Sequence, residues 1–131
     1  MANSLEQPLQ RFVDETPWVS GAILADLDGA EVALYPSTLK DELCHCAVFT
    51  GVALRRSSLA EKRAGRGPVS EISIDGEQGA FLTVSVGDEY QVVAALLEHT
   101  PADRVRQRTR VLAETLSELI EQAPKPKVAA S

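Results

Sequence analysis

Two stretches of this chain are apolar at alternate positions and also at the positions between, and they constrain the fold more than any other feature. Residues 18–27 read WVSGAILADL and residues 90–97 read YQVVAALL. Successive side chains of a strand point to opposite faces, so a strand of this composition needs cover on both. The requirement is a sheet with layers on either side and these two strands at its centre. The run VSEISID at 69–75 is half polar and suits an edge. So does EVALY at 31–35, which Pro36 closes.

The rest of the chain supplies the layers. Leu5, Leu9, Phe12 and Val13 recur at helical spacing until Thr16-Pro17 stops them. Asp28-Gly29 reads as the positive-φ pair of a tight hairpin joining the first two strands. A long helix is predicted from about residue 39 to 63, with Thr38 and Asp41 as a capping box and Gly65 and Gly67 at its end. Strands at 69–75, 80–86 and 90–98 follow through short, turn-rich connections. Thr100 as N-cap, Pro101 at the first helical position and Asp103 open a last helix. Its stripe runs Val105, Thr109, Leu112, Leu116, Leu119 and Ile120, and Pro124 ends it.

The order is α-β-β-α-β-β-β-α. Pairing the sequential hairpins, and placing the two doubly apolar strands side by side, gives an antiparallel sheet in the order 2-1-5-4-3, an α/β (α+β) fold with helices on both faces. Residues 1–123 form one domain, and 124–131 are expected to be a disordered tail with nothing to bury.

Composition excludes several functions. The formal net charge of −6 argues against a basic face for nucleic acid. No apolar run is long enough to span a bilayer, and the first ten residues lack the pattern of a signal peptide, so a cytoplasmic location is expected. Cys44 and Cys46 fit that compartment as free thiols.

Chemistry is sparse. There is no phosphate-binding G-x-x-x-x-G-K-[ST] loop and no G-x-G-x-x-G after a strand. Cys44-His45-Cys46 resembles a metal or nucleophile cluster, but helical residues two apart point in different directions. Cys46 reads as a small core residue, Cys44 and His45 as surface or interface residues. Asp26, Asp28, Asp75 and Asp88 fall at turns, where aspartate has a local backbone role. No catalytic residue, cofactor or metal ligand is assigned, and the chain reads as a non-enzyme.

The segments GAILADLDGAEVA, SEISIDGEQGAFLTVSVGDEYQVVAALL and RVRQRTRVLAETLSELI together resemble the roadblock/dynein-light-chain family, in its branch of small prokaryotic proteins. The likeness covers residues from about 5 to 122. It implies a homodimer, or a heterodimer with another roadblock protein, that docks on a Ras-like small GTPase as regulator or platform. It also implies that the long helix packs against its mate while the third strand pairs with its own copy.

The residues agree with that expectation. Val48, Val52 and Leu59 fall opposite the sheet-facing side of the long helix, with Phe49 on a flank. A helix apolar on two sides must hide both. The expected dimer seam is therefore Val48, Phe49, Val52 and Leu59 with Glu71, Ile72 and Ser73 of the third strand; the alternative is scattered exposed apolars. Arg55, Arg56, Lys62, Arg63 and Arg66 gather at the end of the same helix, either as a docking patch for an acidic partner or as a solvated face. Three functions remain open: a GTPase regulator, a structural adaptor that leaves hydrolysis unchanged, and a small-ligand sensor.

Overall fold

A computed structural model of the chain describes residues 5–66, 69–100 and 102–122. Helix α1 spans Glu6–Glu15, strand β1 Val19–Asp26 and β2 Glu31–Tyr35. A 3-10 turn, Ser37–Leu39, leads into α2, Lys40–Ala64. Strands β3 (Glu71–Gly76), β4 (Gly79–Val86) and β5 (Tyr90–Leu96) follow, then α3, Ala102–Gln122.

The five strands form one antiparallel sheet in the order β2-β1-β5-β4-β3. The doubly apolar strands are neighbours in the middle, with Ile23 opposite Val93 and Leu24 opposite Val92. Alternation then separates two cores. Ile23, Ala25, Leu34, Val93 and Ala95 meet Leu43 and Ala47 of α2 on one face. Ala22, Leu24, Val84, Val92 and Ala94 meet Leu9 and Phe12 of α1 and Val105, Leu112 and Leu116 of α3 on the other. Half-polar β2 and β3 take the edges.

Three local expectations change. Thr38 lies inside the 3-10 turn, so the α2 start is a tightened turn, with Lys40 N–H bonded to the Ser37 carbonyl, and not a Thr38–Asp41 box. The first hairpin is wider than two residues. Gly29 alone of the Asp28-Gly29 pair has positive φ (91°), and Asp26 organises the turn by accepting from Asp28 N–H and Ala30 N–H, both at 2.9 Å. The register shift between Leu24 and Ala25 is the bulge that such a turn leaves in its strand. Strand β3 begins at Glu71, leaving Val69 and Ser70 outside it.

Gly65 has φ 76° and Arg66 N–H reaches back to the Glu61 carbonyl at 3.1 Å, so α2 ends in a Schellman turn at the glycine expected to end it. Gly67, Pro101 and the tail 124–131 lie outside the described residues. Thr100 Oγ1 donates to the Leu97 carbonyl. Among the described residues no helix is long and apolar enough to cross a membrane.

Candidate functional site

Helix α2 is held to the sheet by an unusually close contact with the first hairpin. A Cβ on Gly51 would fall on the Leu27 carbonyl oxygen, and one on Gly29 would lie 2.7 Å from Val48 Cα. Two glycines thus let the hairpin turn touch the helix backbone, which a larger residue at either position would hold apart. Beneath that contact lies a sealed polar cluster. Gln91 Nε2 donates to the Ala47 carbonyl at 2.7 Å and to the Asp26 carbonyl at 3.0 Å. Thr50 Oγ1 donates to Gln91 Oε1 at 2.6 Å. One side chain therefore ties β5, α2 and the hairpin together. Sequence reading missed this cluster, although a glutamine in a run as apolar as YQVVAALL, and a glycine in mid-helix, were its signals.

With its inner side fixed, α2 presents its outer side to solvent. Val48 is 49% exposed, Phe49 63%, Val52 46% and Leu59 58%. These four residues are most of the large exposed apolars among the described residues, the others being Leu97 and Val111. All four apolar residues singled out on α2 are therefore exposed, with Arg55 and Arg56 between Val52 and Leu59 along the helix. On β3 the expected residues divide between the two sheet faces. Ile72, opposite Thr83, lies on the α2 side with Phe81, and is half-buried. Glu71 turns the other way, towards α3. Its carboxylate lies 2.6 Å from Arg106 Nε, whose N–H is not aligned for a hydrogen bond, and 3.2 Å from Arg110 Nε. Its side chain thus fastens the edge strand to α3, leaving only its backbone at the open edge. Ser73 is exposed.

The basic group on α2 also divides. Arg55 lies 2.6 Å from Asp28 of the hairpin turn. Arg56, Arg63 and Arg66 are exposed and make no ion pair among the described residues. The Lys62 side chain lies outside what is described. Of the last-helix arginines, Arg108 donates to the Glu15 carbonyl at 2.9 Å and so links α3 to α1.

The Cys44-His45-Cys46 triplet does not converge. Both cysteines are half-buried and pack against the α2-side core, while His45 is exposed. Burial pushes the Cys46 thiol up to about 11, and burial followed by the Glu31 carboxylate raises that of Cys44. Neither is an activated nucleophile. Among the described residues no group of three or more His, Cys, Asp or Glu could hold a metal ion. A cavity of about 520 Å3 lies beneath the second half of α2, between Leu27, Leu54, Leu59, Val69 and Tyr90. Its guanidinium, on Arg55, is already engaged by Asp28. The surface that stands out is the stripe on α2 beside an open sheet edge.

Solved structures share the fold. Myxococcus xanthus MglB superposes with a TM-score of 0.79 at 16% identity, covering 91% of this chain and 96% of that one. A Roadblock/LC7 domain from Streptomyces avermitilis gives 0.79 at 15%, covering 91% and 99%. The chain has a roadblock fold. A gliding protein, MglB of Thermus thermophilus, gives 0.76 at 18%, covering 94% and 96%. No family model matches the sequence, and no curated protein matches it. At such low identity the roadblock likeness speaks for architecture, and function has to be argued from the surface.

Proposed function

We propose that this chain is a non-catalytic protein-interaction module that self-associates through α2 and the β3 edge and serves as regulator or docking platform for a Ras-like small GTPase. The observation that carries the reading is the stripe Val48, Phe49, Val52 and Leu59 beside an edge strand with no further strand paired to it among the described residues. Contiguous exposed apolar surface marks an interaction site, and an open strand edge is a template for pairing. The sequence carries no phosphate-binding loop, which supports reading the chain as a partner of a GTPase over a GTPase itself. The roadblock fold supplies the choice of partner, since the family likeness implies one.

The test is capture of partners by the tagged, full chain from native lysate, loaded in parallel with a GTP analogue and with GDP. A small GTPase enriched in one nucleotide state, whose hydrolysis rate changes when the chain is added, is the expected result. Binding without a change in hydrolysis would make the chain a platform. Recovery of other roadblock proteins alone, with no GTPase in either state, would replace this reading with the adaptor.

A further inference from the structure

Helix α2 sits closely on the sheet over its first half but not over its second. Its sheet-facing row runs Leu43, Ala47, Thr50, Leu54 and Ser58 at helical spacing. The first four are buried, whereas Ser58 is only half-buried, a small polar residue where a large apolar one would close the core. The cavity of about 520 Å3 lies there, in the size range that holds a small molecule. Leu27, Leu54, Leu59 and Val69 give it apolar walls, and of these only Leu59 belongs also to the exposed stripe. Ser58 of α2, Ser70 before β3 and Ser85 of β4 line it too, and among the described residues none of the three hydroxyls has a hydrogen-bond partner. In the neighbouring core Gln91 and Thr50 are bonded to each other and to backbone. Unpaired hydroxyls gathered round a void therefore mark a place for a ligand. Arg55 stands beside them. Its pair with Asp28 runs through Nη1 alone, at 2.6 Å, which steadies the guanidinium and leaves its other N–H groups open.

We propose that this cavity binds a small monocarboxylate with an apolar body, its carboxylate on Arg55 and its body between α2 and the sheet. A carboxylate matches the planar fork of guanidinium donors. Asp88 also lines the cavity and disfavours a second negative charge there, which selects a single carboxylate over a phosphate. A partner protein would lie over α2 and not beneath it, so the site suits a small molecule. All its lining residues belong to one chain, and the proposal is independent of the self-association reading.

Isothermal titration of the full chain with octanoate, octanol and octyl phosphate tests the site. Octanoate is expected to bind saturably, with a dissociation constant on the order of 0.1 mM, and to raise the melting temperature. Octanol and octyl phosphate should each bind about tenfold more weakly. Arg55→Gln should weaken octanoate to the level of octanol and leave octanol unchanged. Arg55 is exposed and its ion pair lies at the surface, so this variant keeps the fold and decides the charge preference by itself. Ser58→Leu should fill the cavity and abolish binding of all three ligands without lowering the melting temperature. Phenylbutyrate repeats the titration with a ring in place of a chain, and binding of either acid with this dependence on Arg55 supports the site. No binding of either acid at millimolar concentration overturns the proposal. So does binding that survives Ser58→Leu in a folded variant, or octanol or octyl phosphate binding as tightly as octanoate.

Discussion

Thr50 Oγ1 lies 2.6 Å from Gln91 Oε1, and neither side chain reaches solvent. The Gln91 amide nitrogen uses both its hydrogens, on Ala47 and Asp26, so the cluster is satisfied at the cost of depending on a single residue. Gln91→Ala removes three buried hydrogen bonds and opens a void between β5 and α2, although the Asp26 carbonyl still accepts from Gly29 N–H at 3.1 Å and the Thr50 hydroxyl can still donate to the Cys46 carbonyl at 3.0 Å. The expected loss is about 3 kcal/mol of unfolding free energy, read from urea titrations. A loss below about 1 kcal/mol, the worth of one net hydrogen bond, would mean that the hairpin and helix hold together without it.

Gly51 gives a test of opposite sign to ordinary helix propensity. Alanine for glycine inside an exposed helix gains about 1 kcal/mol. Here the added Cβ runs into the Leu27 carbonyl oxygen. Gly51→Ala should therefore destabilise by about 2 kcal/mol, lowering the melting temperature, because helix and hairpin must separate. A rise in melting temperature would show that the contact yields.

How far the sequence disclosed this molecule depends on the kind of pattern involved. Strand order followed from WVSGAILADL and YQVVAALL, because double-sided apolarity leaves a strand nowhere but the sheet centre. The end of α2 followed from Gly65, whose positive φ few other residues accept. The first hairpin did not follow, because Asp28-Gly29 also suits a wider turn, and the choice was made by the Asp26 carboxylate bonding two backbone N–H groups. The orientation of Glu71 depended on register, which only its pairing opposite Val84 fixes. The exposed stripe on α2 was legible because a helix with two apolar sides shows both in its sequence. Which sides of the β3 residues accompany it was not.

Thr83 is fully buried on β4, and its hydroxyl has no hydrogen-bond partner among the described residues. A hydroxyl removed from water without compensation is a standing cost, and valine fills nearly the same volume without it. Thr83→Val should raise stability by about 1 kcal/mol, seen as a higher urea midpoint with an unchanged slope. A lower midpoint would assign the hydroxyl a role in the fold.

Cys46 makes stability fall at alkaline pH. Burial raises its thiol from 9.0 to about 11 in the folded chain. The folded state therefore favours the protonated thiol, and this contribution is complete below pH 9.0 and lost as pH rises towards about 11. Melting temperature should decline across that window more steeply in wild type than in Cys46→Ala, whose profile retains only the other alkaline titrations. Parallel profiles would show that the thiol ionises as freely folded as unfolded.

Val52 sits at the middle of the proposed seam and is 46% exposed in the single chain. Val52→Asp should leave the monomer's own stability within about 0.5 kcal/mol, since the site is at the surface. In a dimer formed through this stripe, however, the carboxylate would be enclosed in an apolar setting, where desolvation disfavours its charge. Sedimentation should then report the 14.1 kDa chain alone at concentrations where wild type is dimeric. Val111→Asp supplies the control, being 56% exposed on α3, across the sheet from α2. It should leave the dimer intact. Dissociation by Val111→Asp with no effect from Val52→Asp would move the interface to the α3 face.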